Sequence, residues 1–487
     1  MGVLRSVPAA VVLAAVIVRT AWRCEYRSYR YVYWDTDHAG ENIYLTAESL
    51  GLATVAVGAF YESMLVGSWE LIVGGEVPHA RVPAREESVE VITLAQPHYQ
   101  WVSRVLPMLG FPRRVVYSEP APGAVAELLE LVGASRVLVV SDPVISRQGF
   151  FQSLLETLRD RFEVTVYDSV SPEPPVDVAE EIARAAEGTD AIIAVGGGSV
   201  IDAAKAGMVL AERPGLSIED VAPFSVLGIE LEKPVLIAVP TTAGTGSDAS
   251  YGIVLTRGEG SEREKIAVGS YEVIPLATVL DPSLPLSAPA RVRIGAIMDA
   301  LSHAIEALAS TASNPFSEAL AEHAARTIFE HAKSALEGDS EAMARIHAAA
   351  TMAGMAFTNS GLGLAHALAH PLGALLSTHH GTTVGIVLLG VLPIYEKAEE
   401  TGGRLDRLLR VLQVLGLTRA ESLRDAVAQL YDSIGAPTRF RDLGVDAERY
   451  REAARLAAER ALHEPNIAFS PIVPSVEEMV ELLLSLY

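Results

Sequence analysis

Between residues 136 and 196, short apolar runs alternate with amphipathic stretches, and the last run ends in glycine. RVLVV (Arg136 to Val140) stops at Ser141 and Asp142. A helical pattern follows over about Phe150 to Arg161, then a strand over Phe162 to Tyr167 and a loop over Ser171 to Pro175. Asp177 to Ala186 has helical periodicity, and Ala191 to Val195 is a further apolar run that passes straight into Gly196. Strands separated by helices of about ten residues predict a parallel, doubly wound sheet, because parallel neighbours need a crossover connection. Few other folds accept this rhythm.

The junction itself is AVGGGSVIDAAKA, residues 194 to 206. Glycines let a backbone approach a phosphate, and a helix start offers free N–H groups and a positive dipole end. The spacing is not the G-x-G-x-x-G fingerprint, and glycine-rich turns of this kind also occur as plain structural turns. A second loop, VPTTAGTGSDAS (239 to 250), follows the strand pattern of Val235 to Val239. Thr241, Thr242, Thr245 and Ser247 could line a pyrophosphate or ribose, or simply form a polar surface loop. At the end of a second strand of one sheet, the ligand-binding alternative gains weight.

After about Pro285 the strand signals fade and Ala/Leu-rich helical patterns take over, as in Ser317 to Leu336 and Ser340 to Met355. In GAIMDALSHAIEALAS (295 to 310), Asp299 and His303 stand four apart and share a helix face, with Glu306 the next acid on nearly that face. Four of the twelve histidines fall in GLGLAHALAHPLGALLSTHHG (361 to 381): His366, His370, His379 and His380. His366 and His370 are again four apart, and Pro371 and Gly373 predict that their helix bends or stops there. His380 stands at the start of the next helix. These can be satisfied core histidines. With Asp299 and His303, however, His366 and His380 make one carboxylate and three imidazoles, a set suited to iron(II) or zinc with a position left for a substrate oxygen.

The first 105 residues differ in texture. Val7 to Val18 is apolar but too short to span a bilayer, and reads as a buried strand rather than a signal peptide. Asp37 to Leu50 has a helical pattern closed by Gly51, and Leu52 to Phe60 and Val89 to Leu94 have strand patterns. A formal net charge of −23 disfavours nucleic acid and anionic membrane as partners. Cys24, the one cysteine, cannot form an internal disulfide, which fits a cytoplasmic protein. The expected organisation is a small α+β segment (1–105), an α/β dinucleotide-binding domain (106–285) and an all-α metal-binding domain (286–487).

GGGSVIDAAK, PTTAGTGSD, MDALSHAIEA and GLGLAHALAHPLGALLSTHHG, in this order, resemble the iron-containing alcohol dehydrogenase family over about residues 108 to 487. The resemblance implies the dehydroquinate synthase-like fold. It also implies hydride transfer between a small alcohol or aldehyde and NAD(P), and a homo-oligomer. The family's metal ligands fall on Asp299, His303, His366 and His380, and the histidine it places near the nicotinamide falls on His370. Its cofactor-binding residues fall on Gly197, Gly198, Ser199, Asp202, Thr241, Thr242, Thr245 and Lys265. Asp142 matches the acid that favours NAD over NADP in some members. Asp248 stands where Glu is usual, and His379 where Pro is frequent. A polyol dehydrogenase or lyase of the same fold would use a different ligand set. Separately, RYVYWDTDHAGENIYLTAESLGLATVAVGAF (30 to 60) resembles the C-terminal half of the nitroreductase family, SagB-like branch, which uses FMN. That family's basic FMN-phosphate residues have no counterpart here, so a structural or oligomerising remnant is expected rather than a flavin-dependent reductase.

Overall fold

A computed structural model describes residues 109–221, 225–229, 233–258 and 264–487. The strands and helix expected between Val7 and Leu94 lie outside the described residues. Leu94–Tyr487 makes one compact unit, separate from Met1–Thr93, so both the α/β and the helical parts belong to a single unit.

The α/β part is built in chain order from β1 (Arg114–Tyr117), α1 (Ala121–Leu131), β2 (Arg136–Val140), α2 (Gly149–Arg159), β3 (Glu163–Tyr167), α3 (Asp177–Ala185), β4 (Ala191–Gly196), α4 (Gly198–Glu212), β5 (Val235–Pro240), β6 (Gly252–Arg257), β7 (Glu264–Gly269) and β8 (Ala277–Leu280). Six strands form one parallel sheet in the order β1-β8-β5-β4-β2-β3. The central strands are apolar at every position because helices cover both faces. Val137, Val139, Ile193 and Val195 pack towards α1 and α2, whereas Leu138, Val140, Ile192 and Ala194 pack towards α3 and α4.

From β2 the chain winds outward to β3, then crosses back to β4 and β5 on the other side. The order therefore reverses between β2 and β4, and the crevice beyond their carboxyl ends is where such sheets bind ligands. The β6–β7 hairpin is antiparallel and stands apart from the main sheet. The sequence pattern did not announce it, nor α1, whose Pro122 and Gly123 look like a turn but sit in a first helical turn that tolerates proline.

The helical part continues with α5 (Ser283–Ser287), α6 (Ala290–Ala309), α7 (Pro315–Leu336), α8 (Ser340–Thr358), α9 (Leu364–Leu376), α10 (His380–Tyr395), α11 (Glu399–Val414), α12 (Leu423–Ser433), α13 (Ala447–Ala461) and α14 (Val476–Ser485). From Gly295 onward α6 is buried on all sides, and so are α9 and most of α10. These three helices form the centre of the largest core, with α7, α8 and α13 around them. Of the bend or stop predicted at Pro371, the stop does not occur: α9 runs on to Leu376 and closes at Ser377 in the left-handed region. Proline removes one backbone bond, but this helix is held by burial along almost its whole length, which outweighs that loss. No helix among the described residues is long and apolar enough to cross a membrane.

Candidate metal and cofactor site

Asp299 and His303 lie on α6, His366 on α9 and His380 at the first position of α10. The structure brings these four together, with one ligand atom of each within 4.8 Å of all the others. Asp299 Oδ1 is ringed by the Nε2 atoms of His303 (3.8 Å), His366 (3.9 Å) and His380 (3.5 Å). These distances are too long for hydrogen bonds. Asp299 Oδ1 and His366 Nε2 are buried and have no hydrogen-bond partner among the described residues. Burial pushes the Asp299 carboxyl up to about 7, against an opposing pull from Lys265. It holds His303 and His380 well below the ordinary imidazole value, with neighbouring positive groups adding to the effect. Neutral imidazoles and an unpartnered carboxylate oxygen converging on one point fit a divalent cation.

The approach of α6 to α10 depends on two glycines. A Cβ on Gly381 would lie 2.2 Å from the Gly295 carbonyl oxygen and 2.8 Å from Asp299 Cβ, and one on Gly295 would lie 2.6 Å from His379 Nδ1. Only such a close crossing lets His380 reach Asp299. His303 stacks on His366 with ring centroids 4.7 Å apart and meets Phe357 in a tilted contact at 4.6 Å.

Glu306, one turn beyond His303, has a role the sequence did not reveal. Its carboxylate accepts from Tyr395 Oη, from Ala365 N (2.8 Å) and His366 N (3.3 Å) in the first turn of α9, and contacts His366 Nδ1. Burial raises its pKa, yet the His366 and Tyr395 contacts outweigh this and hold it below the ordinary value. The spacing 299, 303, 306 along one helix face was the available signal. His370, one turn after His366, lies 5.3 Å from His380 between ring centroids, and its Nδ1 is 3.0 Å from Glu464 Oε2. His379 points at the α6–α10 crossing and is not among the four converging ligands.

The two loops expected to hold a cofactor lie side by side. Gly196 pairs with Pro240, and Thr241 N donates to Gly196 O (3.0 Å). Gly197 caps α4 without a side-chain bond, leaving that helix start open. Thr245 packs against Gly198 and Thr242 against Gly197. Ser199 Oγ accepts from Glu173 N (3.3 Å). Asp142 follows β2 at the reversal point, its Oδ1 accepting from Val144 N and Ile145 N. Gly244 meets Ala296 on α6, which seats this loop against the helix that carries Asp299 and His303. Lys265, on β7, pairs with Glu173 (2.9 Å), and its charge acts on Asp299 and His380. Asp202 is turned inward instead. It accepts from Ser247 Oγ and Val254 N and lies 3.9 Å from the fully buried Lys205 ammonium.

The iron-containing alcohol dehydrogenase family matches residues 112–282, and its C-terminal counterpart matches 293–487. The nitroreductase family matches residues 1–70. An alcohol dehydrogenase of Thermococcus barophilus is 35% identical over 72% of this chain and 91% of its own length. An NADPH-dependent butanol dehydrogenase of Clostridium saccharobutylicum is 31% identical over 77% of this chain and 97% of its own. The solved iron-containing alcohol dehydrogenase of Thermococcus thioreducens superposes with a TM-score of 0.69 at 32% identity, covering 78% of this chain and 99% of that one. The chain belongs to the iron-containing alcohol dehydrogenase family.

Proposed function

We propose that the protein is a metal-dependent, NAD(P)-linked alcohol dehydrogenase that interconverts a small alcohol and its aldehyde. The observation that carries this is the ring of three Nε2 atoms around Asp299 Oδ1, seated against the Thr241–Thr245 loop through Gly244 and Ala296. When bound, a divalent cation, iron(II) by preference and zinc as the alternative, supplies Lewis acidity toward the substrate oxygen, and a nicotinamide accepts or donates the hydride. Asp299, His303, His366 and His380 would hold the cation. Gly197, Gly198 and Ser199, with Thr241, Thr242 and Thr245, would receive the dinucleotide phosphates on the open start of α4, and Lys265 would add positive charge beside them.

His370 would handle the hydroxyl proton. With Nδ1 facing Glu464, its Nε2 remains for the substrate, and Glu464 gives the proton a next stop. Asp142 supports NAD over NADP, because its carboxylate at the end of β2 would repel a 2′-phosphate. Asp202 positions the second loop rather than touching the cofactor. A homo-oligomer and a cytoplasmic location accord with this assignment.

The test is metal analysis paired with alcohol oxidation. Wild-type protein should lose activity on chelation and regain it with iron(II) or zinc, while His366→Ala should lose both metal and activity. Full metal content and full turnover in His366→Ala would refute the assignment. Asp142→Ser should raise NADP use relative to NAD, and an unchanged ratio would remove Asp142 from cofactor choice. A second reading, a flavin-dependent reductase, rests on the nitroreductase match over residues 1–70 and has against it the missing FMN-phosphate residues. Flavin absorbance in the purified full chain would support it.

A further inference from the structure

We propose that Glu306 is a positioning residue for the metal site, fixing His366 in the tautomer and orientation that present Nε2 to a cation. This rests on the metal-dependent function proposed above. Two kinds of contact converge on the one carboxylate. The first is to the helix: α9 starts at Leu364 with Gly363 before it, and no side chain of its own caps it. Glu306, from α6, accepts the free N–H groups of Ala365 and His366 instead. A negative charge at a helix start is favourable, so this contact sets where α9 begins. The second is to the ring: Glu306 Oε2 meets His366 Nδ1. A carboxylate accepts only, so Nδ1 must carry the proton and Nε2 must be the open lone pair. That Nε2 is buried, has no hydrogen-bond partner among the described residues, and faces Asp299.

Tyr395 completes the arrangement. Its hydroxyl donates to Glu306 and accepts from Leu364 N (2.6 Å). Gly363 leaves room for both groups, since a Cβ there would lie 2.4 Å from Tyr395 Oη and 3.0 Å from Glu306 Oε1. Glu306 is fully buried, and its ion-pair partner among the described residues is His366. Burying a carboxylate is expensive, and a helix cap alone could be made by a neutral acceptor. The charge is explained if it also fixes and polarises the ligand, as carboxylates behind metal-binding histidines do.

Glu306→Gln separates the two roles. The glutamine oxygen can still cap α9 and accept from Tyr395, which turns its NH2 group towards His366 Nδ1. A donor there moves the ring proton to Nε2 and blocks the ligand position. We expect Glu306→Gln to bind cobalt(II) roughly 10- to 100-fold more weakly than wild type in chelator competition, with an altered visible cobalt spectrum and little change in metal-free thermal midpoint. Tyr395→Phe keeps the His366 contact and should stay close to wild type in both readouts. Glu306→Asp withdraws the acceptor without removing it, so its affinity should be intermediate, and it decides the matter if the glutamine variant does not fold. Wild-type cobalt affinity and spectrum in either Glu306 variant would overturn the proposal. A wild-type protein that takes up no cobalt would overturn it together with the metal-dependent function.

Discussion

Lys205 offers the sharpest test of how the second cofactor loop is held. Its ammonium is fully buried and donates to the carbonyls of Ser250 (2.8 Å) and Gly252 (2.9 Å), with the hydroxyls of Ser247 and Ser250 each at 3.3 Å. It also faces Asp202, which grips the same loop through Ser247 and β6 through Val254. Burial lowers Lys205 to about 8, against the opposing pull of Asp202, so the group is still mostly charged at neutral pH. Lys205→Met fills a similar volume and removes only the charge and its donors. Two orphaned carbonyls cost about 1–3 kcal/mol each, and an unpaired buried carboxylate costs about 3–5 kcal/mol. Asp202 can shed part of that cost by taking up a proton, since burial already raises its pKa. The two carbonyls alone cost about 2–6 kcal/mol and the residual carboxylate cost adds to this, against a total stability on the order of 5–15 kcal/mol.

The assay is a double-mutant cycle with Asp202→Leu, read by denaturant unfolding and by dinucleotide affinity. Lys205→Met should be clearly destabilised and should bind NAD more weakly, because Thr241, Thr242 and Thr245 lie on the loop it holds. The double variant should be milder than the sum of the two single variants by roughly 1–3 kcal/mol, since it leaves no charge unpaired. Additive losses, or a Lys205→Met protein as stable as wild type, would refute the view that this ion pair holds the loop.

Gly381→Ala should drive α10 away from α6, given the 2.2 Å approach of a Cβ to Gly295 O; metal content should fall sharply while the helical far-ultraviolet signal persists. His347 is buried on α8, neither ring nitrogen has a hydrogen-bond partner among the described residues, and burial lowers it to about 4. The folded state therefore needs the neutral ring. The unfolded chain binds the extra proton between about pH 6.5 and 4, so stability falls as pH drops through that window, by about 1.5 kcal/mol between pH 6.5 and 5. His347→Leu should flatten that decline, and an unchanged acid slope in urea unfolding would count against it.

What the sequence made legible is local in the chain. The glycine-rich turn, the threonine loop, the Asp299–His303 pair and the His366–His370 helix each fit within about twenty residues, where periodicity and turn chemistry carry the signal. The strands from Arg136 to Val195 match to within a residue or two for the same reason. Missing were the relations between distant segments. Glu464 lies 94 residues from His370, Glu306 lies 60 from His366, and Gly295 meets Gly381 only because two helices cross. Pro371 does not stop α9 because a local rule met a helix whose stability comes from burial. Asp202 has the right position in the motif for a cofactor contact, yet only the packing of β6 and the Ser247 turn reveals that it faces inward.

The charges in this molecule follow one logic around α6. Asp299, His303 and Glu306 are all buried on that helix, and each would be costly alone. Glu306 is compensated within the chain by Tyr395, the start of α9 and His366. Asp299 is not: its Oδ1 has three imidazole nitrogens beyond hydrogen-bond distance and a carboxyl pKa raised by burial. The same helix thus carries one acid satisfied by protein and one that, on the proposed function, would receive a cation. Binding free energy at such a site would also be folding free energy, because the four proposed ligands come from three helices that the unfolded chain does not bring together. The cation would therefore hold α6, α9 and α10 in register as well as serve the reaction, and the helix that presents the ligands rests against the loop that would receive the dinucleotide.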